Sequence, residues 1–398
     1  MKVALVGAFP PQQKGEAWYL GEYALALREE IGPESIVVVS QYTDAPSKDS
    51  WRDFAVDRAI RDRSLGRPSY APQRELVEAV LRHRPDVVHV TYGPNQDYGG
   101  RLGEPLVEAI RRLRAAGIPT VITLHSLWLP EDVRSSPAAG RLPSFLRPLV
   151  VAYFGRFMRR LNAAAARILC LAANENSPMT RALGESYQLK DLGEEVFGCS
   201  PHFVPLPATG APKIFAFGFV RPDKGFDVLL RAFAQYVREG GQGDLLIAGR
   251  PQAAADESYA DELEQLAREV PAGRCRFERR FVPDDELERM VADSSLVVLP
   301  YLRNVGASGP LHIAIAAGRP IIATSAGHNA ALRSVIDLVE PGDQTAIVAA
   351  MKAALASPDA LRERVQKVVD FANRRSWAAL AKTNAAIYDE LLGIFRTQ

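Results

Sequence analysis

Eight consecutive residues, Gly218-Phe219-Val220-Arg221-Pro222-Asp223-Lys224-Gly225, have the composition of a phosphate-holding loop. Glycines at its two ends let the backbone approach a ligand closely. Arg221 and Lys224 lie three positions apart, so two cations can converge on one diphosphate. Arginine brings a planar fork of donors and lysine a compact charge. A turn carrying two solvated cations is the alternative. The segment Gly306-Ala307-Ser308-Gly309-Pro310 ends on a proline suited to a first helical turn. The amides of Ser308, Gly309 and Leu311 are then expected at a helix N-terminus, a natural anion site. An ordinary strand-to-helix turn fits the same letters. His125 follows the apolar run VITL. There it can donate to a sugar hydroxyl or a reacting carbonyl, or serve as a satisfied structural histidine. The segment Pro10-Pro11-Gln12-Gln13-Lys14-Gly15-Glu16 resembles a loop closing on substrate, with a surface loop as the alternative. It lacks the GxGxxG spacing, which argues against a dinucleotide oxidoreductase.

Each of these segments follows a short apolar run. Val3–Val6, Ile36–Val39, Asp86–Val90, Thr120–Leu124 and Ile168–Leu171 read as strands. Between them lie segments of helical period: 16–30, where Leu20, Tyr23, Ala24 and Leu27 share a face, then 73–83, 105–115 and 143–166. The pattern turns irregular over 195–212, where prolines and glycines sustain neither period. A second alternation follows. Strands are expected at Lys213–Phe217, Asp244–Ala248, Arg274–Glu278, Leu296–Leu299 and Pro320–Thr324. Helices are expected at 226–239, 259–269, 284–293 (with Asp284 as a cap) and 310–317, with two more at the C-terminus. Strand–helix alternation means parallel pairing with crossovers, hence an α/β doubly wound sheet. The expected organisation is a Rossmann-like domain over 1–200, a hinge over 201–212, a second such domain over 213–375, and a last helix within 376–398. Ligands of such sheets bind beyond the carboxyl ends of the strands, where all these loops lie.

The totals agree with this division. A chain of 398 residues is too long for one ordinary core. Its 47% hydrophobic and 24% charged residues are those of a soluble globular protein. A net charge of +1 gives no overall pull toward nucleic acid. Cys170, Cys199 and Cys275 show neither metal-ligand spacing nor a disulfide framework, which fits a cytoplasmic protein. The first apolar run is too short for a signal peptide, and no stretch approaches the ~18 apolar residues of a membrane span. Abundant arginine and alanine with scarce lysine point to a bacterial source. The segment 141–168 holds six arginines and no acid, interleaved with Phe145, Leu146, Val150, Val151, Tyr153, Phe154 and Phe157. It can lie on a membrane surface as a peripheral contact, or pack its arginine stems against a sheet.

In this order the motifs resemble glycosyltransferase family 4 of the GT-B fold, two Rossmann-like domains facing a cleft. FAFGFVRPDKGFDVLLRAF is similar to the family's strand, basic loop and helix. DLLIAGR, FVPDDELERMVADSSLVVLPY and AIAAGRPIIAT match its next segments, and TLHS and the loop around Gly15 match in the first half. RRSWAALAKTNAAIYDELL resembles the C-terminal helix that crosses back to the first domain. The resemblance implies a retaining, metal-independent transfer of a hexosyl unit from a nucleotide-diphosphate sugar, UDP- or GDP-linked, to a hydroxyl acceptor. The acceptor candidates are a polysaccharide, a lipid-linked intermediate or a natural-product precursor. No cofactor beyond the donor is implied. Arg221 and Lys224 would hold the diphosphate, with Gly15, Gly218, Ser308, Gly309, Pro310 and Leu311 around it. Arg250, Phe281 and Val282 would lie near the base or a phosphate, and His125 would contact the donor sugar.

The chain departs from the family at three points. Where many relatives place arginine directly after the first glycine, it has Phe219. Where two glutamates are usual, eight positions apart, it has Val305 and Ile313. A further usual glutamate aligns with Ala331. The departures resemble a divergent branch of the family. They also leave open a non-catalytic GT-B partner subunit and a GT-B sugar epimerase.

Overall fold

The computed structural model describes residues 1–12, 15–41, 50–60, 71–93, 98–172, 177–207, 210–304 and 308–397. The chain forms two compact units, Met1–Gly198 with Trp377–Gln398, and Cys199–Ser376.

The first unit is built on eight strands: β1 (Val3–Val6), β2 (Ile36–Gln41), β3 (Ser50–Trp51), β4 (Phe54–Ile60), β5 (Val87–Tyr92), β6 (Thr120–Leu124), β7 (Arg167–Ala172) and β8 (Leu192–Val196). Their order is β3-β4-β2-β1-β5-β6-β7-β8. All neighbours pair in parallel except β3 with β4. Every side chain of β1, β5 and β6 is buried, as a sheet covered on both faces requires. Chain order reverses between β1 and β5, so the loops after these strands diverge and leave a crevice.

Several elements here are not expected from the sequence, among them β3, β4, β8 and the short helices Pro130–Arg134, Pro137–Gly140 and Pro178–Tyr187; for β4 and β8 the reason is chemical. In β4, FAVDRAI, every second side chain is buried, but one of those is Arg58. Its guanidinium donates to the carbonyls of Phe9 and Pro10 and to Ser40 Oγ, which satisfies a charge that otherwise disguises the alternation. In β8, LGEEV, one of two adjacent glutamates points inward. The short helix Pro178–Tyr187 buries Leu183 and Tyr187 in the core of the first unit.

The inward glutamate, Glu195, is fully buried. It accepts from Tyr19 on the helix Gly15–Ile31, from Thr123 on β6, and from Asn384 Nδ2 at 2.9 Å. Asn384 lies on the C-terminal helix Trp377–Arg396, which packs against Gly15–Ile31. Tyr388 of the same helix bonds to Tyr23 at 2.6 Å and to His89 Nδ1. His89 Nε2 returns to Thr123 at 2.7 Å. Trp377 begins the helix among the rings of Trp18, Tyr19 and Phe197. The last helix is therefore part of the first unit through a buried polar net and an aromatic cluster.

The second unit carries six strands: β9 (Lys213–Phe217), β10 (Asp244–Gly249), β11 (Cys275–Arg279), β12 (Leu296–Leu299), β13 (Ile321–Thr324) and β14 (Asp337–Val339). All pair in parallel, in the order β11-β10-β9-β12-β13-β14. This is the dinucleotide-fold order, and its switch point lies between β9 and β12. The helix Phe226–Arg238 buries Leu229, Leu230, Phe233 and Tyr236 against the sheet. Arg319, wholly buried, donates to the carbonyls of Ser294, Ala317 and Val204. It thereby ties the irregular stretch around Val204 to the second unit. No described helix is long and apolar enough to cross a membrane.

Glu195 lends itself to two measurements. Glu195→Ala strands three buried donors and should lower the unfolding free energy by about 2–4 kcal/mol, read by denaturant titration. Burial raises the Glu195 pKa although its three donors oppose the shift. A folded-state value above the unfolded one gives stability that is complete at low pH and lost as pH rises through the folded value. Glu195→Gln cannot ionise, so its stability relative to wild type should improve as pH climbs above the ordinary glutamate range. Parallel pH curves for the two proteins would contradict this.

Candidate functional site

In the second unit, the loops after β9 and β12 meet at the switch point. Gly225 has φ 66°, and a Cβ there would lie 2.2 Å from the Pro300 carbonyl oxygen. The Asp223 carbonyl accepts from the Leu302 amide at 2.8 Å. The basic loop is thus bonded flat against the loop that follows β12. This contact sets Lys224 Nζ 3.8 Å above the centre of the Tyr301 ring. The arrangement is a cation–π contact in a partly buried setting. Burial pushes the Lys224 pKa down to about 8, against the pull of Asp223.

Tyr301 is buried, and its hydroxyl lies 3.0 Å from Ser308 Oγ. Ser308 is the N-cap of the helix Gly309–Ala316, and its Oγ accepts from the Leu311 amide at 3.3 Å. Pro310 sits in the first turn, where a Cβ on residue 218 would come within 3.4 Å of its ring. Lysine, tyrosine, serine and helix N-terminus form one connected unit. One expectation changes here. The Leu311 amide is taken by the cap, so it is not a free anion donor. Val305, Gly306 and Ala307 lie outside the described residues, and Ile313 sits half-buried within the helix.

Arg221 also differs from the expected free fork. Its Nε and Nη2 donate to the two oxygens of Asp223, the first at 2.8 Å, and its Nη1 donates to Gln252 Oε1 at 2.7 Å. Burial opposes the effect, yet Arg221 holds the Asp223 carboxyl below its ordinary range. Arg250, after β10, has its guanidinium carbon 5.8 Å from the ring centres of both Phe219 and Phe281. Its Nε is buried and has no hydrogen-bond partner among the described residues. Phe281 is exposed and Val282 buried. The residue standing where many relatives carry arginine, Phe219, therefore flanks a different arginine.

In the first unit, His125 follows β6 and donates its amide to the Tyr92 carbonyl at 2.9 Å. Its ring stands edge-on to Tyr19, centroids 4.7 Å apart. It is not a satisfied histidine: its Nε2 is buried with no hydrogen-bond partner among the described residues. Burial pushes its pKa down to about 4, opposed by Glu16, so the ring is neutral near pH 7. A neutral imidazole can donate or accept one hydrogen bond at that nitrogen, according to tautomer. Gly15 opens the helix Gly15–Ile31 and is exposed, while Gln13 and Lys14 lie outside the described residues. No group of three metal-ligating side chains occurs among the described residues.

Sequence reasoning missed Tyr301, Asp223 and Gln252 as site residues. Pro300-Tyr301 directly follows β12, so its place at a switch point was the available signal.

The family described as Glycosyl transferase 4-like domain matches residues 14–188, and Glycosyl transferases group 1 matches residues 211–357. The chain is a glycosyltransferase of the family 4 type. The enzyme resembles solved structures along its whole length. Sucrose-phosphate synthase from Thermosynechococcus elongatus has a TM-score of 0.73 at 19% identity, with 99% of this chain and 100% of that one covered. HepE from Anabaena, solved in complex with UDP and glucose, has a TM-score of 0.72 at 15% identity, covering 98% and 100%. A UDP-forming α,α-trehalose-phosphate synthase from Burkholderia xenovorans has a TM-score of 0.71 at 14% identity, covering 98% and 99%. These likenesses establish the GT-B fold of the glycosyltransferase. No curated protein matches the sequence.

The Ser308 cap serves both the helix and Tyr301. Ser308→Ala should cost the second unit about 1–2 kcal/mol by denaturant titration. An unchanged midpoint would mean that the cap contributes nothing.

Proposed function

We propose that the enzyme transfers a hexosyl unit, with retention and without a metal, from a UDP- or GDP-sugar to a hydroxyl acceptor. The observation that carries this reading is Lys224 held on Tyr301 beside Arg221, at the β9/β12 switch point and next to a capped helix N-terminus. When the sugar leaves, negative charge grows on the diphosphate. A cation already fixed at the switch point and the N-terminal end of the helix Gly309–Ala316 stabilise that growing charge. Lys224 supplies one charge. Arg221 supplies the second by exchanging Gln252 or Asp223 for a phosphate oxygen. These two side chains provide the charge that a metal ion would otherwise bring. Arg250, between Phe219 and Phe281, has a buried donor to offer the nucleotide. His125 offers one hydrogen bond to the donor sugar. No cofactor beyond the donor enters this scheme.

The ribose is the weak point. Ile313 has only carbon where the resemblance places a glutamate, and loss of a charged hydrogen bond costs roughly 1.5–3 kcal/mol. Ser308 and His312 are the polar candidates nearest in sequence, and Ser308 already serves Tyr301 and Leu311. That observation favours, as a second reading, a subunit that binds nucleotide without turnover. The acceptor is a polysaccharide, a lipid-linked intermediate or a natural-product precursor. The free cysteines Cys170, Cys199 and Cys275 support a cytoplasmic location.

Two experiments test the reading. With a panel of UDP-, GDP- and ADP-sugars, one nucleotide should raise the melting temperature and its sugar should be released. Lys224→Ala should abolish that release while the fold survives. Full activity in this variant would overturn the loop assignment, and stabilisation without release across acceptors would favour the binding subunit. Because the Lys224 pKa is pushed down to about 8, its charge is complete below that pH and lost above it. Nucleoside diphosphate affinity should fall as pH rises through about 8 in wild type, and hold level in Lys224→Arg. The same fall in both proteins would assign the titration to another group.

A further inference from the structure

The segment singled out by its arginines plays no part in the donor chemistry. The helix Arg147–Ala164 buries Phe154, Phe157, Met158 and Leu161 in the core of the first unit. Its outer face and the turn before it are another matter. Phe145 is 76% exposed and Leu149 64%, with Leu142 and Tyr153 also exposed. Leu149 and Tyr153 lie one turn apart on the helix surface, and Phe145 is on the single turn Ser144–Leu146 that leads into it. Exposed Arg156 and Arg160 lie further along the helix, and exposed Arg141 lies before the turn. None of these three arginines pairs with a carboxylate among the described residues. Glu104 reaches this face: its carboxylate accepts from the Tyr153 hydroxyl and from the amides of Arg101 and Leu102.

We propose that this face docks on an anionic lipid surface, with Phe145 and Leu149 entering the acyl boundary and Arg141, Arg156 and Arg160 meeting headgroup phosphates. Exposed apolar rows flanked by unpaired cations suit an interface that is oily below and anionic above. A nucleic acid or an acidic peptide would satisfy the arginines and leave Phe145 in water. The helix is not long and apolar enough to cross a bilayer; it lies on the surface. Docking of this face goes beyond the donor chemistry and does not depend on it.

The test is co-sedimentation of the full chain with phosphatidylcholine vesicles, with and without phosphatidylglycerol. Binding is expected only with phosphatidylglycerol and should weaken with salt. The exposed pairs Phe145→Ser with Leu149→Ser, and Arg156→Gln with Arg160→Gln, should each lower partitioning on the order of 10-fold. Circular dichroism melts check that both fold. In Phe145→Trp, the indole emission added over wild type should shift to the blue on vesicle binding. Any of three results overturns the proposal: no sedimentation with anionic vesicles, sedimentation unaffected by loss of Phe145 and Leu149, or an added indole emission in Phe145→Trp that does not shift. Retention on heparin without vesicle binding counts as the first of these and marks a polyanion site.

Discussion

A Cβ on residue 225 would lie 2.2 Å from the Pro300 oxygen, so the second unit can close its two central loops together only with glycine there. That approach has consequences along the chain in both directions. It fixes the Asp223 carbonyl as the acceptor for Leu302 and Arg303, and it lays Lys224 across Tyr301. Tyr301 in turn meets the cap of the helix Gly309–Ala316. A backbone clash avoided at one position thus organises a cation, an aromatic ring and a helix N-terminus. The parallel sheet makes this possible, since strand order places the ends of β9 and β12 side by side.

Buried polarity is handled in two ways. Some charges are kept and partnered: Arg221 with Asp223, Lys224 with a π face, Arg319 with three carbonyls, and Arg58 in the first unit with two carbonyls and a hydroxyl. In the net around Glu195, burial favours neutral forms. It pushes His89 down to about 3 and His125 to about 4, and raises Glu195. A neutral net of hydroxyl, amide, imidazole and carboxyl groups can be buried at modest cost if each member is bonded. Tyr19, Tyr23, His89, Thr123, Glu195, Asn384 and Tyr388 all are, whereas His125 Nε2 beside them has no partner among the described residues. An unpartnered buried nitrogen beside a satisfied net costs stability, which is why it reads as a place kept for something else.

Much of this was legible in the sequence because apolar runs and helical periods carry it. Strands such as VALV, VITL and LVVL have no competing interpretation once helices separate them. The site loops were legible for the same reason, each following a strand. The edge of the first sheet was not. There, Arg58 and Glu195 sit on inward faces, and their suitability depends on partners from distant segments, Pro10 and Ser40 in one case, Tyr19 and Asn384 in the other. Letters alone cannot show that a charge will be satisfied. Likewise, spacing placed Arg221 and Lys224 together, but could not show that Asp223 between them would take the arginine fork. Nor could it show that Ser308 would occupy the Leu311 amide.

The Asp223 clamp bears on selectivity as well as geometry. Two bare cations at a switch point would attract any small anion. With Asp223 bonded to Arg221, one of the two charges is cancelled locally, and the other is weakened by desolvation at Lys224. A ligand must then offer enough to displace a carboxylate that is already held in a two-point contact. A diphosphate carries several oxygens with the charge to compete at both points, whereas a single carboxylate or chloride offers no gain over Asp223 itself. In the proposed reaction the same feature sets the direction of change: as charge accumulates on the departing diphosphate, its claim on Arg221 would strengthen relative to that of Asp223, whose charge is fixed. An interaction that strengthens toward the transition state is the kind that accelerates a reaction. The acid inside a basic loop, which looks like a defect in a phosphate site, thereby turns a static attraction into a differential one.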